Sequence, residues 1–239
     1  VNEFNIIINC AAYTKVDKAE ANQKQANLIN HTAVRELATI AKTKNIKLIH
    51  VSTDFVFNGL NKKPYTENDA TSPLNIYGET KLAGEKAVMS ISKSNSLIIR
   101  TGWVYSEFGN NFLKTILNLA KKNDILDIVS DQFGTPTYAY DLAFLILHII
   151  TTDKFLQNNK SSEILHYSNE GKSSWYDFAK EIISISGIDC QLNPIGARDY
   201  PLAAKRPKYS ILSSKKVSEE YGVRIKHWKE ALKICLKNL

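Results

Sequence analysis

The sequence predicts an α/β fold, a doubly wound parallel sheet with a smaller C-terminal lobe, and two observations support this prediction. Short runs of apolar, β-branched residues alternate with stretches in which apolar residues recur every three or four positions. Such runs are typical of buried parallel strands, and such spacing is typical of helices that pack on a sheet. Because the connections are short, strand and helix take turns as in a doubly wound sheet. We assign residues 1–150 to the sheet domain and residues 151–239 to the lobe.

The predicted elements follow one another along the chain. Strands are expected at residues 4–10, 46–51, 96–100 and 125–129, and helices at residues 26–42, 74–91, 111–121 and 140–150. The apolar spacing loosens from Asp153 onward. In that part we expect a strand at 164–167 and helices at 173–186 and 228–236, the first of them capped by Ser173 or Ser174. Residues 194–201 are expected to form a turn-rich loop.

Composition narrows the class of protein. A chain of 239 residues with 44% hydrophobic residues can fill one α/β domain and a small lobe. The three cysteines, Cys10, Cys190 and Cys235, are far apart and form no CxxC pair, which predicts a reducing cytoplasm without a zinc site. The net charge of +7 is spread along the chain without a nucleic-acid-binding signature, so we interpret it first as a solvated surface, with an anionic diphosphate ligand as the alternative. The longest apolar stretch, 142–150, is far short of the ~20 residues of a membrane span.

Groups of small and polar residues follow three predicted strands at the ends where ligands of such sheets bind. They are Ala11, Ala12, Tyr13 and Thr14 after the first strand, residues 52–54 after the second, and residues 101–103 after the third. Tyr77 and Lys81 open the helix that follows the second of these groups.

Tyr77 and Lys81 are four residues apart, so they share one face of a helix. A neighbouring cation favours the phenolate, and we expect Lys81 to lower the phenol pKa from its ordinary value near ~10. A hydroxyl from Thr53 would then hold a substrate carbonyl while the phenol protonates it and a nicotinamide supplies hydride. Tyr176 and Lys180 have the same spacing but no such strand upstream, and we interpret them as an ordinary helix pair.

Five ordered motifs identify a family. They lie at residues 9–17, 51–59, 77–85, 100–105 with 111–112, and 131–137, and the similarity continues through Arg206, Pro207 and Trp228. Together they resemble the motifs of dTDP-4-dehydrorhamnose reductases, which belong to the extended short-chain dehydrogenases/reductases with their Rossmann-type sheet.

This resemblance implies that NADPH or NADH reduces the 4-keto group of a dTDP-6-deoxy-hexulose to give dTDP-L-rhamnose. It implies Tyr77 as proton donor and Lys81 as the residue that binds the nicotinamide ribose, with Thr53 assisting at the carbonyl. Asp54, Trp103 and Val16 would contact the sugar nucleotide. The cofactor-binding set would be Ala11, Ala12, Tyr13, Thr14, Tyr77 and Lys81. A dTDP-sugar is the expected partner, without nucleic acid or membrane, and a homodimer is one assembly that we expect.

Two departures from the family pattern matter. Phe55 stands where members usually carry tyrosine, which removes a hydroxyl near the sugar. The sequence also has no counterpart of the leading βαβ unit with its Gly-rich turn. We therefore expect an incomplete sequence, an unpaired edge on the strand at 4–10, and a weak affinity of the chain by itself for the dinucleotide.

Other interpretations remain open. The chain could be a sugar-nucleotide epimerase or dehydratase, although Phe55 cannot carry the proton that a dehydratase moves. It could also be a binding subunit that resembles the regulatory subunit of methionine adenosyltransferase. Trp103 could belong to the core, Asp54 could cap its loop, and Asn30 could face water as well as shape the site. The histidines lack ligand spacing and Ser52 lacks a GxSxG motif, which disfavours a metal site and a hydrolase.

Overall fold

A computed structural model of the chain describes residues 4–92, 95–158 and 161–239. Its longer strands are β1 (Ile6–Asn9), β2 (Lys47–Thr53), β3 (Ser96–Thr101), β5 (Ile125–Val129), β8 (Glu163–His166) and β10 (Gln191–Ile195). The two-residue strands are β4 (Val104–Tyr105), β6 (Phe133–Gly134), β7 (Thr137–Tyr138) and β9 (Ser173–Ser174).

Helices separate these strands. They are α1 (Val16–Ala21), α2 (Gln23–Asn27), α3 (Ala33–Thr43), α4 (Ile76–Ile91), α5 (Phe112–Ala120), α6 (Ala139–Ile149), α7 (Asp153–Leu156), α8 (Trp175–Ser186), α9 (Lys215–Tyr221) and α10 (Trp228–Lys237). A π-helical turn at Leu28–Thr32 joins α2 to α3, and a 3₁₀ turn at Asp54–Val56 follows β2. Among the described residues, no helix is both long and apolar enough to cross a bilayer.

The main sheet is parallel and, within the described residues, has the strand order β1-β2-β3-β8. Helices α3 and α4 pack on one face through Val34, Val88 and their neighbours, and α6 packs on the other through Leu145 and Ile149. Both faces of β2 and β3 are therefore covered, which explains why most of their residues are apolar. The prediction of a doubly wound parallel sheet is confirmed, and β1 lies at its edge.

A second unit surrounds the short sheet formed by β5 and β10. Helices α5, α8 and α10 enclose a separate apolar core that contains Leu113, Phe178 and Trp228. The prediction that residues 125–129 join the main sheet is therefore wrong, because β5 pairs with β10. Strand β10 also replaces part of the loop expected at 194–201, since Pro194 lies inside it.

The strand at 164–167 is confirmed as β8, but it belongs to the main sheet beside β3. The division at residue 150 stays a prediction, although β5 and β8 each lie across it. Helix α8 begins as expected: Ser174 accepts a hydrogen bond from the Asp177 backbone, and the Asp177 carboxylate accepts one from the Ser174 backbone.

Candidate active site

Strands β1, β2 and β3 end side by side, and their carboxyl ends bring the predicted residues together. Thr53 and Thr101 occupy matching positions in β2 and β3. The Thr53 hydroxyl donates to the Asp54 carboxylate at 3.2 Å and accepts from the Phe55 amide at 3.2 Å. Gly102 lies against the Asp54 carboxyl so closely that a Cβ there would be 2.6 Å from Cγ. Only glycine therefore leaves room for this carboxylate at the end of β3.

Asp54 is a buried carboxylate with an incomplete set of partners. Its side chain is 2% exposed, and Oδ2 has no hydrogen-bond partner. Burial raises the Asp54 pKa to about 6, and the neighbouring hydroxyls of Ser210 and Thr53 oppose that rise. A buried oxygen without a partner is costly unless a ligand uses it, so the role of Asp54 in binding the sugar nucleotide stays a prediction beside that of a loop cap.

Tyr77 lies in the first turn of α4, next to Thr53. Asn75 caps this helix by accepting from the Gly78 amide at 2.8 Å, and the Phe55 ring meets the Tyr77 ring edge-on at 5.6 Å. Burial raises the pKa of Tyr77 to about 12; contact with the Thr53 hydroxyl opposes the rise, and the Asp54 charge adds to it. The phenol is consequently protonated at neutral pH.

Lys81 lies one turn further along α4 and is 2% exposed. Its ammonium donates to the Val51 carbonyl at 2.7 Å and lies 3.4 Å from His50 Nε2. Burial lowers the Lys81 pKa to about 8, against the opposing charges of Glu85 and Cys10. The prediction that Lys81 lowers the pKa of Tyr77 is wrong for the chain as it stands, because the phenol pKa rises and Lys81 is bonded to β2 instead.

The turn after β1 is held by Asn30. This side chain accepts from the Tyr13 amide at 2.8 Å, donates to the Tyr13 carbonyl at 3.2 Å, and donates to the Thr80 hydroxyl at 3.2 Å. Asn30 is completely buried within the π-helical turn, so the interpretation of a residue that faces water is wrong. Ala11 and Thr14 are exposed and Ala12 is half-buried, which leaves the backbone of this turn accessible to a ligand.

Trp103 follows β3, and Val16 begins the helix that follows β1. The Trp103 ring stacks on Trp175 with centroids 3.4 Å apart, and it covers Gly134, where a Cβ would be 2.4 Å from the indole. Trp103 adopts a positive φ of 52°, an uncommon conformation for a bulky residue. Its contacts join the main sheet to the second unit. Val16 is the first residue of α1 and is half-buried.

The loop that carries Arg198, Lys205, Arg206 and Lys208, here called the basic loop, lies beside the start of α4. The Asp17 carboxylate binds the Arg206 guanidinium at 2.6 Å, which holds the Asp17 pKa below its ordinary value, and Asn75 donates to the Lys205 carbonyl at 2.8 Å. The loop borders a cavity of about 650 Å³ whose lining includes Leu74, Tyr200 and four basic side chains. These basic side chains are Arg198, Lys205, Arg206 and Lys208.

Several supporting residues were not predicted from the sequence. Under α4, the Arg100 guanidinium binds Glu85 at 2.7 Å, and the Ser52 hydroxyl donates to the same carboxylate. Asn9 and His50 form a second buried pair. The signal was available, since Asn9 and His50 each interrupt an apolar strand. The described residues contain no group of His, Cys, Asp and Glu suited to a metal ion.

Sheet and site together define a class, that of Rossmann-type proteins with a tyrosine and lysine pair at the strand ends. A family model described as "RmlD substrate binding domain" matches residues 1–239. The dTDP-4-dehydrorhamnose reductase of Escherichia coli K12 is 41% identical over 241 residues, which covers 98% of this chain and 80% of that protein. The chain therefore belongs to the RmlD substrate binding domain family.

Solved structures agree with this assignment. A dTDP-4-dehydrorhamnose reductase from Clostridium acetobutylicum superposes with a TM-score of 0.91 at 41% identity, covering 98% of this chain and 80% of that chain. The Bacillus anthracis enzyme of the same name, in complex with NADP, gives a TM-score of 0.91 at 36% identity, with coverages of 98% and 81%. The predicted family and fold class are confirmed. The roles assigned to individual residues stay predictions.

Proposed function

We propose that the chain carries out the reduction of dTDP-4-dehydro-L-rhamnose to dTDP-L-rhamnose with NADPH or NADH. It is an NAD(P)H-dependent oxidoreductase of the dTDP-4-dehydrorhamnose reductase family. The observation that carries the assignment of the chemistry is the meeting of the Tyr77 phenol with Thr53 and Asp54 at the end of β2.

In this proposal Tyr77 is the proton donor. A carbonyl oxygen that receives hydride on its carbon becomes an alkoxide and needs a proton. Burial raises the phenol pKa to about 12, further above neutral pH than its ordinary value, so the proton is in place before the reaction. The Thr53 hydroxyl donates a second hydrogen bond to the same oxygen after leaving Asp54. When bound, the dinucleotide supplies the hydride.

The residues after β1 fit a dinucleotide. Ala11 and Ala12 have small side chains, so a ligand can approach the backbone of this turn. Asn30 holds that backbone in place through the amide and the carbonyl of Tyr13. Lys81, one helical turn beyond Tyr77, carries donors for ribose hydroxyls. We assign the cofactor contacts to Ala11 through Thr14, Tyr77 and Lys81.

The sugar nucleotide is proposed to bind between Trp103, Val16 and the basic loop. The cavity beside Leu74 is lined by four basic side chains and, among its lining residues, by no carboxylate. A diphosphate suits such a surface because each oxygen anion can pair with a cation. Asp54 Oδ2, which lacks a partner, is available for a sugar hydroxyl. Phe55 supplies an apolar edge against Tyr77 in place of a hydroxyl.

The test is turnover of the 4-keto substrate, followed by loss of nicotinamide absorbance. Tyr77→Phe should lower kcat by at least about 100-fold while the chain remains folded. Tyr176→Phe is the matched control, because Tyr176 has the same spacing to a lysine but lies in α8, and it should leave kcat within about twofold. Dinucleotide binding without turnover would instead support a binding subunit. A dehydrated product would support a dehydratase.

A homodimer and a cytoplasmic location remain part of the proposal. All three cysteines are free, which agrees with the reducing compartment predicted from their spacing.

A further inference from the structure

A buried polar contact connects β1, β2 and α4 beneath the proposed site. His50 lies in β2 opposite Asn9 of β1 and is completely buried. Asn9 Nδ2 is 3.0 Å from His50 Nδ1, and His50 Nε2 is 3.4 Å from the Lys81 nitrogen. The His50 imidazole thus lies between the Asn9 amide and the Lys81 nitrogen. Its contacts do not require a substrate.

The orientation of Asn9 fixes the tautomer of His50. The Ala11 backbone amide donates to Asn9 Oδ1 at 3.1 Å, so the other amide atom, Nδ2, must face the imidazole. An amide nitrogen only donates, and His50 Nδ1 therefore accepts. Burial and the Lys81 charge hold the His50 pKa well below its ordinary value, so the ring is neutral. A neutral ring that accepts at Nδ1 carries its proton on Nε2.

This tautomer directs an N–H group at the Lys81 nitrogen. An ammonium has three donors and no lone pair, whereas a neutral amine can accept. One Lys81 donor is used by the Val51 carbonyl at 2.7 Å. The His50 contact accordingly favours the amine, while the charges of Glu85 and Cys10 favour the ammonium.

We propose that His50, oriented by Asn9, is a positioning residue that fixes where the Lys81 nitrogen lies and how readily it gives up its proton. The inference rests on the proposed function only where it assumes that Lys81 binds the cofactor. His50 itself reaches the reaction through Lys81, so it is not assigned a catalytic role.

The unsubstituted chain tests the first half of this inference. Nuclear magnetic resonance of ¹⁵N-labelled histidine should show a neutral His50 with its proton on Nε2 from pH 6 to pH 9. Protonation on Nδ1, or a charged ring, would overturn the proposal. This measurement needs neither ligand nor turnover, so failure of the reductase assignment would leave its outcome readable.

Two variants test the second half. The amide oxygen of His50→Gln can reach the position of Nε2 and accept from an ammonium, so the titration midpoint of the Lys81 side chain should rise by about one pH unit. His50→Asn keeps a partner for Asn9 but is too short to reach Lys81, so its midpoint should rise less. The Lys81 signal is assigned from Lys81→Arg.

A merely structural His50 would give a different result. Both variants would then lower the thermal unfolding temperature, and the Lys81 midpoint would equal that of the unsubstituted chain, which would overturn the proposal. With turnover established, the pH profile of kcat/KM should shift to higher pH in His50→Gln by the same amount as the Lys81 midpoint. An unshifted profile would contradict the inference even if the variant binds NADPH.

Discussion

Replacing Asp54 by asparagine should stabilise the chain at neutral pH. A carboxyl whose pKa is higher in the folded than in the unfolded chain does not destabilise the fold below its unfolded pKa. As pH rises from the unfolded to the folded pKa, the folded chain loses stability, and the loss is complete above the folded pKa. For Asp54 these values are 3.8 and about 6. The difference corresponds to about 3 kcal/mol at pH 8 and about half of that at pH 5. Asp54 is 2% exposed, so solvent screens this cost little.

The assay is urea unfolding of the Asp54→Asn variant and the unsubstituted chain at pH 5 and pH 8. The variant's advantage should grow by about 1–2 kcal/mol between these two conditions. Any fixed cost of the new amide cancels in that comparison. Asp17→Asn is the control of opposite sign, because Arg206 lowers the Asp17 pKa and the substitution should destabilise at both pH values. A stability difference for Asp54→Asn that is the same at both pH values would refute the reasoning.

Two further substitutions examine the support beneath α4. Glu85→Gln should cost about 3–5 kcal/mol in urea unfolding, because it leaves the buried Arg100 charge without its partner. Glu79→Gln on the exposed side of the same helix should stay within about 0.5 kcal/mol, and equal effects would contradict the prediction. Gly84→Ala would place a Cβ 2.2 Å from the Asn30 carbonyl oxygen and should cost about 1–3 kcal/mol. Calorimetric titration should also show weaker NADPH binding by Gly84→Ala, because Asn30 holds the turn after β1. An unchanged affinity would show that the contact between Gly84 and Asn30 does not affect cofactor binding.

Local sequence pattern was sufficient for three strands of the main sheet. Strands β1, β2 and β3 are short runs of mostly apolar residues, and the helices on them have regular apolar spacing. Strands β5 and β8 were recognised as strands, but their partners were misjudged, because an apolar run predicts burial and carries no information about its neighbour. Strand β10 was overlooked since Pro194 suggested a turn, although a proline is tolerated where its missing donor is not needed by the ladder.

Within the site, sequence could indicate which residues meet but not their charge states. The Tyr77 phenol in α4 contacts the Thr53 hydroxyl at the end of β2, as the sequence predicted. The spacing on the helix suggested that Lys81 acts directly on the phenol. The lysine side chain is long and flexible, however, and its nitrogen donates to the Val51 carbonyl. Asn30 was ambiguous for a related reason: a helical periodicity cannot reveal that a π-helical turn brings the amide under Tyr13.

Desolvation is the common cause behind the unusual groups of this site. Burial raises the pKa of Asp54 to about 6 and lowers that of Lys81 to about 8. Between those pH values both groups are charged, so the folded chain bears both penalties, of about 3 kcal/mol each, at neutral pH. Neither charge is among the causes that shift the other's pKa, so mutual attraction does not offset these penalties. An arrangement that only stabilised the fold would replace both groups by apolar side chains. The chain nevertheless has both Asp54 and Lys81 near a protonated Tyr77. This favours a site that stabilises the negative charge that develops on a substrate oxygen.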